Sequence, residues 1–330
     1  MTLTTTTVTT ERVCPACREP LADWSCVACG RDYPEVAGLP DCRIASDRFL
    51  DLASERAKAE RLDRLAPGLD LEGLAEAYYA MTADVEPRRR GFYLAHILGA
   101  EARGSALAAL LPRTGKILEL GCGTGGLLAA AARRGLTIEG VDIALRWLVV
   151  ARRRLDDLGL TVPLVAAEAE HLPYPDASFD AVVVDSLLEH VDDPWLVLRE
   201  ASRVLRPGGS LLIWSPNRYS LMIDPHVRLW GLGWIPRRWM SAYVRFRRGG
   251  AWPPTCLSVA EAHRLAANAG FESISIEPPE IPASWASSRP RNQQSLIKAY
   301  AMASRFGPMR VCLRALGPLW QLRAIRGGPA

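Results

Sequence analysis

The chain has 330 residues, 49% of them apolar and 23% charged, with a formal net charge of +4. That balance supports a large buried core and excludes a globally disordered chain. No run of about 18 apolar residues occurs, so no membrane-spanning helix is expected.

The modest net charge hides an asymmetry. From Pro216 to Ala330, 16 Lys and Arg stand against 5 Asp and Glu, and no acid follows Glu280. Such a region meets an anionic partner or is a solvated basic surface. Residues 1–10 are threonine-rich and lack a basic stretch followed by an apolar one. They read as a disordered tail, not a secretion signal. The expected location is the cytoplasm, including the inner face of its membrane.

Residues 11–46 hold Cys14-Pro-Ala-Cys17 and Cys26-Val-Ala-Cys29. Two such turns facing each other offer four thiolates to one Zn²⁺ at about 2.3 Å. The metal would supply folding energy that so short a segment lacks. A redox dithiol is the alternative, but it needs a single pair beside a βαβ unit. The segment Tyr33-Pro34 to Gly38-Leu39-Pro40 resembles the tail of zinc ribbons ahead of some methyltransferases. Similar ribbons occur in an activator subunit of tRNA and translation-factor methyltransferases. Cys14, Cys17, Cys26 and Cys29 are therefore the candidate metal ligands, in a structural or docking role.

Residues 47–111 read as a helical connector. Helices are expected over Asp47–Ala66, with Phe49, Leu52, Ala53, Leu62 and Leu65 at helical spacing, over Leu71–Met81 and over Gly91–Leu111. Pro67-Gly68 stops the first. Tyr78, Tyr79 and Arg88 to Arg90 fall between the other two.

A core domain is expected over 112–280, in alternating strands and helices. Lys116–Leu120 is an apolar strand that runs into Gly121-Cys122-Gly123-Thr124-Gly125-Gly126 and then a helix. Glycines there let backbone approach a ligand and point helix N–H groups at it. The spacing alone also fits a dinucleotide turn. Leu136–Asp142 is a second strand ending in an acid, and a carboxylate at that place can accept both ribose hydroxyls. Ile143 would then lie against the base. A helix follows over Ala144–Leu158. Val162–Ala167 is the third strand, Phe179–Asp185 the fourth and Ser210–Trp214 the fifth. Asp193-Pro194 caps the helix Trp195–Leu205.

The ordered blocks "LELGCGTG", "GVD", "AEAEHLPYPDASFD", "LLEHVDDP" and "VLRPGGSLLI" cover about 100 residues. Together they resemble the type 11 methyltransferase family of class I. The resemblance implies an α/β, Rossmann-like, doubly wound and mostly parallel sheet of the seven-stranded type. It also implies S-adenosyl-L-methionine as cofactor and methyl transfer as reaction. By it, Glu119 lies near the cofactor's amino acid moiety and Glu168 meets the adenine amino group. This chain has Ala167-Glu168 where Gly-Asp is commoner. The cofactor contacts are expected from Glu119, Gly121, Cys122, Gly123, Thr124, Gly125, Asp142, Ile143, Glu168, Ala169, Asp185 and Leu187.

The acceptor should lie beyond strands four and five, near Asp185, Leu187, His190 and an insertion over 216–257. The insertion carries seven arginines against one acid, Asp224, and four tryptophans including Trp230, Trp234, Trp239 and Trp252. It reads as a substrate lid or a membrane-interface surface. His190, within the family's "EHV" block, and His226 are the candidate general bases. Residues 281–330 are expected to form basic amphipathic helices, broken near Gly307-Pro308 and Gly317-Pro318. The final antiparallel strand usual in this fold is not evident.

Three functions compete. The first is an oxygen or carbon methyltransferase for a small or lipid-linked acceptor, such as a quinone precursor or a glycan intermediate, with a peripheral anionic membrane contact. The second is an RNA methyltransferase, since one rRNA guanine methyltransferase family joins a zinc ribbon to this domain. No N-P-P-[YF] motif follows the fourth strand here. The third is a non-catalytic cofactor-binding partner.

Overall fold

In the computed structural model the described residues are 11–47, 50–82, 85, 87–224, 226–249, 255–282, 285–286 and 291–328. The expected tail 1–10, together with Phe49, Trp252 and Arg289, lies outside them, as do the side chains of Arg88 and Arg291. No helix among the described residues is long and apolar enough to cross a membrane.

The N-terminal unit consists of two short hairpins: β1 (Ser25–Cys26) with β2 (Arg31–Asp32), and β3 (Glu35–Val36) with β4 (Leu39–Pro40). It is docked on the core. Arg12 pairs with Glu139 at 2.9 Å and Arg18 with Glu200 at 2.7 Å. On leaving the unit, Asp41 bridges Ala166 in parallel, and the Cys42 N–H donates to the Ala166 carbonyl at 2.8 Å. Cys14, Cys26, Tyr33 and Cys42 thereby join the apolar cluster under the main sheet.

Four helices follow: α1 (Leu52–Leu65), α2 (Leu71–Ala80), α3 (Pro87–Leu98) and α4 (Ala100–Ala108). Asp51 and Asp70 cap α1 and α2 through their side chains. Where one helix was expected over Gly91–Leu111 there are two, and Arg89 and Arg90 lie in the first turn of α3 rather than between helices. The break at Gly99 turns α4 onto the helix after the glycine turn, α5 (Gly126–Arg133). The approach is close: a Cβ on Gly104 would stand 2.4 Å from the Gly126 carbonyl oxygen. Only a side-chain-free residue fits there.

The main sheet contains β5 (Lys116–Leu120), β6 (Thr137–Asp142), β7 (Leu164–Ala166), β8 (Phe179–Asp185), β9 (Leu205–Pro216), β10 (Phe271–Glu277) and β11 (Leu319–Arg326). Their order is β10-β11-β9-β8-β5-β6-β7. The five strands from β5 to β9 are parallel, and β11 runs antiparallel to β9 and β10. This is the expected doubly wound fold. Val182, Val183 and Val184 of β8 are all fully buried, as a strand covered on both faces requires. The helices α6 (Leu145–Asp157), α7 (Pro194–Val204) and α9 (Val259–Asn268) complete the layers, with α8 (Arg237–Arg248) inside the insertion.

The C-terminus corrects the sequence reading. Helices α10 (Arg291–Ala303) and α11 (Gly307–Leu316) are present, but residues 319–326 form the final antiparallel strand. Trp320, Leu322 and Ala324 fill one face of it and are buried. The Trp214 indole donates to the Gln321 side-chain oxygen at 2.8 Å. A run of Leu, Arg, Gln and Ala suits either helix or strand. Pairing with β9 and β10 decides it.

Candidate cofactor and acceptor site

Alternation along β5 sends Leu118 and Leu120 to one face of the sheet and Ile117 and Glu119 to the other. Glu119 is thus a buried carboxylate, 4% exposed, at the carboxyl end of a parallel strand. Its Oε2 has no hydrogen-bond partner. Burial, with the charges of Asp185 and Asp142 nearby, pushes its pKa well above the usual carboxylate range. A buried, unpartnered acceptor of this kind suits a ligand cation.

The chain then turns through Gly121, Gly123 and Gly125, all with positive φ (72°, 49° and 72°). A Cβ on Gly123 would meet nothing within 4 Å, so the cradle is open at that point. Asp142, at the end of β6, accepts the Gly123 N–H and the Ala144 N–H, each at 2.8 Å. Burial raises its pKa, and the two N–H groups oppose that rise. Each oxygen keeps a lone pair for a hydroxyl. Cys122 is buried beneath the turn. Thr124 offers its carbonyl to Arg154 of α6 at 2.7 Å, and Arg154 also holds the Ile97 carbonyl at 2.5 Å. Leu187 lies over the turn, 3.0 Å from where a Gly121 Cβ would stand.

The Glu168 side of the crevice is built jointly with the N-terminal strap. Glu168 accepts backbone N–H groups from Ile44 at 2.9 Å and Ala45 at 2.6 Å. Arg43 donates to the Ile143 carbonyl at 3.2 Å while its guanidinium grips Asp41. Asp41 is wholly buried and also takes a hydrogen bond from Arg56. Ala169 is buried beside Glu168.

Asp185, expected among the cofactor contacts, is engaged by Arg103 of α4 through Nε at 2.7 Å and through Nη2. Arg103 also reaches Ser186 and stacks near the rings of Trp214 and Trp285. Ser186 has φ of 54°, a costly conformation at the end of a strand. The sequence reading missed Arg103 and Arg154. Nothing in the sequence set Arg154 apart from its neighbours Arg152 and Arg153, and Arg103 stood out only as a long cation on a helix stretch rich in small residues.

His190 and His226, 36 positions apart, come together with ring centroids 4.8 Å apart and planes at 81°. His226 Nδ1 lies 3.6 Å from Asp224 Oδ1. Burial lowers the His226 pKa, but Asp224 and Glu189 outweigh it and the net shift is upward. Glu189, unrecognised in the sequence, sits fully buried beside both rings. Ser215 donates to its Oε2 at 3.3 Å, Oε1 has no hydrogen-bond partner, and burial pushes its pKa up to about 7. A cavity of about 240 Å³ adjoins, lined by Met222, Ile223, Asp224, Leu232, Met240 and Leu319 among others.

The four cysteines of the N-terminal unit also converge. Cys14 Sγ is 3.7 Å from Cys29 Sγ, and Cys17 Sγ is 3.4 Å from Cys26 Sγ. A tetrahedron with bonds of about 2.3 Å has edges close to these separations.

Residues 118–213 match a family described as "Methyltransferase domain". Among curated relatives, 27-O-demethylrifamycin SV methyltransferase of Amycolatopsis mediterranei is 40% identical over 169 residues, 48% of this chain and 62% of that one. Ubiquinone biosynthesis O-methyltransferase of an Azoarcus species is 37% identical over 167 residues, 49% and 66% respectively. This chain therefore spans less than two thirds of either relative. A crystal structure of an S-adenosylmethionine-dependent methyltransferase from Thermotoga maritima, titled a possible histamine N-methyltransferase, is 22% identical. It has a TM-score of 0.46 and covers 72% of this chain and 96% of that one.

Proposed function

We propose, for a chain whose core is a class I S-adenosylmethionine-dependent methyltransferase domain, that it methylates an oxygen of a small or lipid-linked acceptor of the quinol or polyphenol kind. The carrying observation is the crevice itself: an unpartnered buried Glu119 and the carboxylate of Asp142 on either side of an open glycine turn. S-adenosylmethionine, when bound, supplies an electrophilic methyl group on a sulfonium. Glu119 would hold its ammonium, Asp142 its ribose hydroxyls and Glu168 its adenine amino group. The apolar cavity beside His226 would admit the acceptor. His226, oriented by Asp224, would take the hydroxyl proton as the methyl arrives, with His190 and Glu189 fixing its ring. Relatives named as a ubiquinone biosynthesis O-methyltransferase and a 27-O-demethylrifamycin SV methyltransferase support an oxygen acceptor. Placement at attack distance supplies most of the rate, and a base adds about 10²–10⁴-fold.

The four sulfurs fit one structural Zn²⁺, with no ligand position left open for catalysis. Two measurements test these readings. Titration calorimetry with S-adenosylhomocysteine should show one site per chain, and labelled methyl transfer should favour phenolic acceptors over RNA. Absence of cofactor binding would end the proposal. Metal analysis should find about one zinc per chain.

A further inference from the structure

The insertion and the C-terminal helices, far apart in sequence, meet at the cavity mouth. The Asn217 N–H donates to the Pro318 carbonyl and the Leu221 N–H to the Leu316 carbonyl, both at 3.1 Å. The Asn217 side-chain amide donates to the Ala315 carbonyl at 2.8 Å. Helix α8 is anchored by Met240 and Val244, which pack with Val227, Leu229 and Leu232. Its opposite side turns outward. Trp239 and Phe246, two turns apart, share that outer face with Arg238 and Arg245 beside them.

Around the mouth the exposed residues are strongly apolar. Leu221, Met222 and Ile223 are each more than half exposed, Trp230 is 66% exposed and Phe246 85%. Phe306, Met309 and Val311, at and along α11, continue the pattern. Met222 and Ile223 also line the cavity, so its mouth opens within this patch. Arg228, Arg238, Arg245, Arg247 and Arg248 form no ion pair with a carboxylate among the described residues. Monomeric proteins do not leave such a surface to water without use.

We propose that this face docks on an anionic phospholipid bilayer, with the aliphatic and aromatic tips in the interface and the arginines on lipid phosphates. The proposal rests on the methyltransferase reading only in naming the acceptor's route, from the lipid through the mouth bordered by Met222 and Ile223 to His226. Charge decides the class of lipid: Arg228, Arg238, Arg245 and Arg247 have no carboxylate partner among the described residues and suit lipid phosphates, while Arg248 already donates to the Val227 and Arg228 carbonyls. The exposed Trp and Phe suit a bilayer or bases alike, but the aliphatic tips favour the bilayer, because Leu, Met and Ile offer no stacking plane for bases. The arrangement is that of an interfacial surface, with Trp and Phe at headgroup depth and long cations beside them.

The test is sedimentation of the full chain with phosphatidylcholine vesicles, with and without phosphatidylglycerol, at low salt. Binding is expected only with the anionic lipid and should fall as salt rises. Each basic residue near such a surface is worth about fivefold, so R238E with R245E should lower partitioning at least about 25-fold. W239A with F246A should lower it by tenfold or more, and tryptophan fluorescence should be quenched by brominated acyl chains, less so in W239A with F246A. Neither pair touches the cofactor crevice, so S-adenosylhomocysteine affinity should stay unchanged and report an intact fold. Lack of binding to anionic vesicles, or equal binding by both double variants, would overturn the proposal. So would RNA binding lost in these variants while vesicles remain unbound. Vesicle binding by a chain that takes no S-adenosylhomocysteine would keep the surface and remove the methyltransferase reading.

Discussion

The two halves of the crevice are built in opposite ways. The side proposed for the cofactor's amino acid and ribose draws Glu119, the glycine turn and Asp142 from 24 consecutive residues, and each is locked by a strand or by backbone N–H groups. The side proposed for the acceptor draws Glu189 and Ser215 from the core and His226 from the insertion, whose outer surface is apolar and basic. A preorganised half serves a ligand whose chemistry is constant. A half assembled over long sequence distances can be rebuilt for a different acceptor without disturbing the first.

This contrast can be broken at several points. The largest effect is expected from His226→Ala: turnover should fall by about 10²–10⁴-fold with S-adenosylhomocysteine affinity unchanged. A parallel loss of cofactor affinity would show that the halves are not separable. The rate should also rise with pH through the His226 pKa, which lies above the ordinary value because Asp224 outweighs burial. The base acts only when neutral, so activity is lost on the acid side. Asp224→Asn should shift the inflection to lower pH.

Asp142→Ala should weaken S-adenosylhomocysteine binding by at least about 100-fold. Two charge-assisted hydrogen bonds at about 1.5–3 kcal/mol each would be lost. Calorimetry reads this directly. Gly104→Val forces a side chain into the Gly126 carbonyl and should destabilise the fold by about 1–3 kcal/mol, visible as a lower denaturant midpoint.

A smaller effect is expected from treating the four-cysteine unit with a chelator, on the proposal that it holds one Zn²⁺. The strap that donates to Glu168 and Ile143 leaves the ribbon directly, so its loosening should cost roughly tenfold in cofactor affinity. Unchanged affinity in the metal-free protein would show that the strap holds by itself. The smallest effect concerns protons. Burial raises the Glu119 pKa and an incoming ammonium would lower it again, so cofactor binding and proton release are linked at this carboxyl. Binding should therefore release protons and weaken as pH falls, and calorimetry in buffers of different ionisation heat measures this.

Much of the cofactor half was legible in the chain because its geometry is local. A strand ending in Gly-x-Gly-x-Gly can turn in few ways, and an acid at the next strand's end must sit beside that turn. The acceptor half was less legible. His190 and His226 stood out as residue types, but nothing in their spacing brings their rings within 4.8 Å. Glu189 was hidden inside a block that the family resemblance explains without it. Arg103 lay on a helix expected to be a plain cover, yet it engages Asp185.

The sulfonium nucleoside was an expectation from the family resemblance; composition, periodicity and turn chemistry alone determined the alternating strands and helices of the core, the four-cysteine unit and the glycine turn between two acids. Those rest on short-range steric and hydrogen-bonding rules. Tertiary structure decided the rest. It made residues 319–326 a strand, because β9 and β10 left a pairing edge between them. It gave Glu168 two backbone donors from the N-terminal strap. It also brought the insertion and the last helices to one cavity mouth, since contacts between residues about a hundred positions apart depend on how the whole chain packs.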